Sequence, residues 1–249
     1  MRPSQLREHV AATYHSIRTG IALVAIALPF VLWIGGAWRA GLPLQQSMSA
    51  YYHSAMRDVF VGVLCAVGIV LYLYKGFTRL ENYALNLAGF FVVGAALVPT
   101  QADGGASDNS VSLHGTFAVL FFLCIAYVCI FRASDTLSEV RDAQKRKRYR
   151  RAYKTMGLAM VVSPLLAVLL TLLLQPGSEM RSTIFVVETF AVLVFGSYWT
   201  VKSFEIKGSK VDRRAIQGEL GTPEYGPKDA FKQIPVQQEA PGAAGQSGT

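Results

Sequence analysis

Thr155-Met-Gly-Leu-Ala-Met-Val-Val-Ser-Pro164-Leu-Leu-Ala-Val-Leu-Leu-Thr-Leu-Leu-Leu174 contains no ionisable side chain from one end to the other. A helix of this length, rising about 1.5 Å per residue, crosses the ~30 Å of hydrocarbon in a bilayer. Five more apolar runs share that character: about Ile21–Trp38, Val59–Tyr74, Tyr83–Val98, Leu113–Phe131 and Thr183–Val201. Val59–Tyr74 and Tyr83–Val98 are the shortest and need polar residues at their ends to reach the interfaces. Backbone groups cannot go unpaired in lipid, so such runs are helices or strands of a closed barrel. The alternating pattern of barrel strands is absent. The chain therefore reads as all-α, a six-helix transmembrane bundle over residues 21–203. A cytoplasmic segment precedes it over 1–20, and a disordered tail follows over 204–249.

Composition agrees. Of 249 residues, 52% are apolar and 16% charged, against about 25% charged in a soluble domain. Arg2, Arg7 and Arg18 precede the first run as they would a signal-peptide core. The stretch Gly35-Gly-Ala-Trp-Arg39 offers no A-x-A cleavage site, so the run reads as an anchor.

The net charge of +8 is unevenly spread. With six spans, the N-terminus, Lys75–Asn82, Arg132–Lys154 and the tail share one side and hold 21 of the 24 Lys and Arg residues. Only Arg39, Arg57 and Arg181 lie opposite. The positive-inside rule then puts both termini in the cytoplasm of a multi-pass protein of the inner (plasma) membrane. The densest basic segment is Lys145-Arg-Lys-Arg-Tyr-Arg-Arg151. It suits anionic headgroups, and no nucleic-acid partner is expected. Ser134 or Ser138, followed by good helix formers, predicts that the fifth span extends as a helix beyond the membrane.

Cys65, Cys124 and Cys129 fall inside apolar runs and read as small buried hydrophobes. Small residues Gly62, Cys65 and Ala66 on the second span, and Ala88, Gly89, Gly94 and Ala95 on the third, offer surfaces for close helix approach. Pro29 and Pro164 sit inside spans. Trp33, Trp38, Tyr51 and Tyr52 suggest an outer aromatic belt; Tyr72, Tyr74, Tyr198 and Trp199 suggest an inner one. The loop Thr100–Asn109, with Asp103 and Asp108 among glycines, reads as a plain turn.

The polar residues that could carry chemistry converge on the outer side. Ser49-Ala-Tyr-Tyr-His53-Ser-Ala-Met-Arg57-Asp58 leads into the second span. His114 opens the fourth span behind Ser112, a ready N-cap. Glu188 lies about five residues into the sixth, on the order of 8 Å below the interface. A carboxylate there needs a partner, and His114 and Arg57 share its depth. On one continuous helix His53 and Asp58 would point about 140° apart, so a turn near Met56-Arg57 must intervene for them to share a site.

Three readings stand. Arg57, Asp58, His114 and Glu188 form an interhelix network; or His53, His114 and Asp58 hold a zinc ion with an open water position, Ser49, Asp58 and Glu188 serving catalysis; or the cluster binds a lipid headgroup or ligand without chemistry. Membrane lipids are partners in each. Transport is disfavoured, since helices interrupted by charge near the midplane are missing.

Ser49-Ala-Tyr-Tyr-His53 with nearby Asp58 resembles the Ser-x-x-x-His and Asp motif of the CREST superfamily, which includes alkaline ceramidases and progestin/adiponectin-type receptors. The resemblance implies a zinc site for hydrolysis of a lipid amide or ester, with Ser49, His53 and Asp58 in the family's places. Those proteins have seven spans and a late H-x-x-x-H, where this chain has six and offers Glu188. The layout over residues 15 to 205 also looks like six-span bacterial membrane families of unknown function.

Overall fold

A helix in lipid satisfies its own backbone, and the apolar runs become helices for that reason. The computed structural model describes residues 3–99, 112–174 and 182–212. Among these it forms α1 (Pro3–Ala40), α2 (Arg57–Leu73), α3 (Arg79–Leu97), α4 (Leu113–Tyr127), α5 (Ala143–Leu173) and α6 (Ser182–Ser209), with no strand. Five of the six are long and apolar enough to cross a membrane, α4 being counted with its continuation to Glu139; α2 has 17 residues. The turn Thr100–Asn109, Arg181 and everything after Asp212 lie outside the described residues.

Side chains mark the helix starts. Thr78 accepts the Glu81 amide, while the Glu81 carboxylate accepts the Phe77 amide, a reciprocal cap that opens α3. Ser112 caps α4 by accepting the Gly115 amide at 3.1 Å, as its position predicts. The basic segment is helical as expected, but its start is Asp142, which accepts the Gln144 and Lys145 amides. Those amides, Lys145 foremost, hold the Asp142 carboxyl below its ordinary range. Ser134 and Ser138 lie instead around a short 3-10 turn, Asp135–Glu139.

Two helices reach past the expected ends of their spans. The segment 1–20 is largely helical, because α1 runs unbroken from Pro3 through residue 21. The tail begins later than residue 204, since Glu205 and Ile206 are buried in the fold. Asp212 also pairs with the buried Arg18 guanidinium at 2.5 Å.

Each helix packs on its neighbours in sequence, and α6 closes the ring against α1. One apolar core runs through the ring, from Ile21 and Ala25 of α1 to Phe195 and Trp199 of α6. A second, smaller core lies at the end that carries residues 41–56: Leu28, Leu32, Met48, Tyr51, Met56, Phe60 and Phe185. This is called the first-loop end below, and the opposite end, where Lys145–Arg151 sits, the basic end. The outward faces stay apolar on every helix, from Leu23 at 67% exposed on α1 to Phe204 at 65% on α6. Surfaces of that kind are stable against lipid and not against water.

Several aromatics expected at the interfaces are core residues. Tyr51, Tyr74, Tyr198 and Trp199 are buried, whereas Trp38 and Tyr72 are exposed. Tyr74 meets Trp199 edge-on at 5.2 Å and Tyr14 at 5.7 Å, which ties α1, α2 and α6 together. Cys65, Cys124 and Cys129 are free thiols.

α2 and α3 approach closely at a pair of glycines. A Cβ on Gly89 would stand 2.5 Å from the Gly68 carbonyl oxygen, and one on Gly68 would stand 2.8 Å from the Gly89 oxygen. Gly89 is thus the small residue that matters on α3, and Gly68, rather than Gly62, is its counterpart on α2. Gly62 meets nothing within 4 Å. Gly89→Val should lower stability in detergent by about 1–3 kcal/mol, because the two helices must separate. Gly20→Ala, with open space around it, should be neutral or stabilising in the same thermal unfolding assay.

Candidate functional site

The first-loop end is built by a chain that leaves α1, folds over the bundle and enters α2. Gly41 takes a φ of 61°, left-handed backbone that suits glycine, and turns the chain away from α1. The loop then seats itself on α6: the Phe185 amide donates to the Gln46 carbonyl at 3.0 Å. Next to this contact the Glu188 carboxylate accepts the Met48 amide at 2.6 Å. A single 3-10 turn follows, Ser49–His53, and drives Tyr51 into the small core beside Phe185. Gly35 and Gly36 of α1 leave room for Met56 and Tyr51 there.

Glu188 therefore has the partner its depth requires, and that partner is a backbone amide rather than His114 or Arg57. Ser49 belongs to the same turn; its hydroxyl lies 3.0 Å from the Ser47 hydroxyl, which in turn accepts the Ala50 amide. His114 is buried, with Nδ1 2.7 Å from the Ala95 carbonyl oxygen and 3.2 Å from that of Val98. Both partners are acceptors, so Nδ1 carries the proton and closes the last turn of α3. Phe60 lies beside the imidazole, ring centroids 6.5 Å apart. His53 ends the 3-10 turn, exposed and edge-on to Tyr52 at 5.2 Å.

The expected metal set of His53, His114 and Asp58 is not assembled. No group of three or more His, Cys, Asp or Glu side chains among the described residues is placed to hold a metal ion. The physical reason is placement: His53 is exposed at the end of the 3-10 turn, Asp58 lines a cleft beside α2, and His114 is buried against the end of α3. The predicted break between His53 and Asp58 does occur, with α2 beginning at Arg57. It serves to bury Met56 and Tyr51 rather than to converge ligands.

Asp58 goes elsewhere. It lines an open cleft of about 370 Å³ with Tyr52, Arg57, Val61, Gly62, Ala96 and Leu97. Arg57 donates to the Tyr52 hydroxyl at 2.7 Å and lies over its ring, 4.5 Å from the centroid. Arg57 and Asp58 are both exposed at the rim, so the cleft has a dipolar lip over an apolar wall.

A buried polar group lies at the basic end, where sequence reading assigned nothing. Beyond Tyr127 the fourth helix widens into a π-turn, Val128–Arg132, after which the chain is free to present the Ala133 carbonyl inward. Lys202 donates to that carbonyl at 2.9 Å, to the Thr136 hydroxyl at 2.7 Å and to Glu205 at 3.0 Å. Glu205 accepts further bonds from Thr136 at 2.5 Å and from the Tyr153 hydroxyl. All of these side chains are buried, and the group ties the end of α4, the start of α5 and the end of α6. Beside it Arg18 holds Asp212 and donates to the Tyr74 hydroxyl at 3.2 Å, and Ser203 meets His15 Nδ1 at 2.8 Å. The sequence signal was an opposite-charge pair three apart, Lys202 and Glu205, just past the apolar run, a spacing that puts both on one helix face.

Residues 20–201 match the model of a family described as Protein of unknown function (DUF998). No curated protein and no solved structure matches the chain. None of these findings supports the likeness to the CREST superfamily.

Glu188→Ala should lower thermal stability, because the Met48 amide loses its side-chain acceptor, a loss of about 1–3 kcal/mol. Glu188→Gln, which keeps an amide oxygen for that N–H, should recover most of it. Limited proteolysis within residues 41–56 is the accompanying readout, faster in the alanine variant.

Proposed function

We propose, for a chain that belongs to the family of unknown function DUF998, a non-enzymatic role: a multi-pass membrane protein that binds a phospholipid at its first-loop end. The observation that carries this reading is the cleft of Tyr52, Arg57 and Asp58 above Val61, Gly62, Ala96 and Leu97. A lipid headgroup with a phosphate and an ammonium matches that lip in charge. The guanidinium of Arg57 suits the phosphate, to which it can offer two parallel donors. Asp58 suits the ammonium, and the wall of Val61, Ala96 and Leu97 suits the upper acyl chain. Phosphatidylethanolamine has this chemistry. The other polar residues of the first-loop end act as fasteners for loop and helix ends, which supports binding over reaction.

The 21-to-3 division of Lys and Arg supports the basic end and both termini in the cytoplasm, and the cleft on the outer face of an inner (plasma) membrane. Zinc-dependent hydrolysis of a lipid amide or ester, the other reading, would need His53, His114 and Asp58 to converge, with Ser49 or Glu188 orienting a water. Among the described residues no such group is placed to hold a metal ion.

Full-length protein extracted in mild detergent should retain phosphatidylethanolamine, counted by native mass spectrometry. Arg57→Gln should weaken that retention about tenfold, the scale of one charge-assisted hydrogen bond, while Arg39→Gln leaves it unchanged. Equal retention in the Arg57 variant would refute the assignment.

A further inference from the structure

One face of α5 changes chemistry along its length without changing direction. Lys147, Arg151 and Lys154 continue in steps of three or four residues into Leu158, Val162, Leu165 and Leu169, and all seven are exposed. Such spacing keeps side chains on a single side of a helix. The opposite face, at Tyr153, Gly157, Met160, Pro164 and Ala167, is buried in the bundle. The surface that meets hydrocarbon below Leu158 therefore becomes, within about one turn, a ladder of cations pointing the same way.

The geometry points to a site for anionic phospholipid headgroups on this ladder, at the rim of the bundle rather than in its interior. The change of chemistry between Lys154 and Leu158 marks where hydrocarbon ends. Lys154 and Arg151 then stand at the depth of lipid phosphates, with Lys147 about 10 Å above Lys154. Long basic side chains at that depth lay their stems on apolar surface and put their charge among the headgroups. Among the described residues no carboxylate competes for them. The α5 sequence itself carries no Asp or Glu. The sequence after Asp212 is no acidic substitute, since its Glu219, Glu224, Asp229 and Glu239 are matched by Arg213, Arg214, Lys228 and Lys232. The occupant is thus the negatively charged leaflet itself, with phosphatidylglycerol as its simplest representative. This site is independent of the cleft at the first-loop end, which has one cation and one anion at its lip.

The test uses the full-length chain in detergent micelles, titrated separately with phosphatidylglycerol and phosphatidylcholine, bound lipid being counted by native mass spectrometry. Wild type should bind phosphatidylglycerol in preference. Each charge removed should weaken that binding roughly fivefold, and Lys147→Gln, Arg151→Gln and Lys154→Gln together about a hundredfold, with little change for phosphatidylcholine. The three side chains are exposed, so the variant should keep its melting temperature. If the triple variant fails to fold, Lys147→Gln with Arg151→Gln gives the same readout with a smaller loss. Arg57→Gln should leave the phosphatidylglycerol preference intact, which separates this site from the cleft. Equal binding of the two lipids by wild type, or a preference that survives the triple substitution, would overturn the proposal. So would charge-dependent retention of a short RNA by the same three residues in place of phosphatidylglycerol.

Discussion

Hydrocarbon offers no hydrogen bonds, and the rest of this structure follows from that constraint. Inside the bilayer the chain is helix, held by its own backbone and by apolar packing. Polar side chains collect at the two ends, where they fasten one element to the next. The two ends do this differently. At the basic end, Lys202, Glu205, Thr136 and Tyr153 form one buried side-chain group across three elements, anchored on the Ala133 carbonyl. At the first-loop end, the Glu188 and His114 contacts go to backbone: Glu188 to the Met48 amide, His114 to the Ala95 and Val98 carbonyls. Removing one member of the buried Lys202–Glu205 pair would strand the other in a dry site, so the basic end is the more cooperative of the two.

That asymmetry gives the ends different uses. The basic end closes the ring, because Arg18 of α1, Tyr74 of α2 and Asp212 beyond α6 meet there. Its flank carries the exposed cationic face of α5. The first-loop end is a cap, with Tyr51 and Met56 plugged between α1, α2 and α6, and its open polar surface is confined to the side, at Tyr52, Arg57 and Asp58. The two surfaces proposed to take a lipid are both at the periphery of the bundle.

Much of the fold was legible. The apolar runs marked the helices, Ser112 marked the start of α4, and the charge pattern on α5 marked a helix that outruns its span. The candidate site was less so, for a reason particular to helices in membranes. Sequence position gives depth, through the rise per residue, but not which neighbour a side chain faces. His114 and Glu188 share a depth, and each turned to backbone of a different element. His53 and Asp58 were separated by a turn whose purpose, burying Tyr51 and Met56, has no signature in ionisable residues. Tyr74, Tyr198 and Trp199 looked like an interfacial belt because aromatic residues at a helix end read alike whether they face lipid or the core. Lys202 and Glu205 were hidden among the many charges beyond the last span, where burial is the exception.

The central claim is that His114 and Glu188 fasten helix and loop ends, while His53 and Asp58 lie apart from them at the surface. Zinc content of the full-length protein, purified without chelator and measured by mass spectrometry, addresses it most directly. The account predicts no stoichiometric zinc, and the same content in His53→Ala and His114→Ala as in wild type, with only the His114 variant losing thermal stability. One zinc per chain, lost on either substitution, would contradict it.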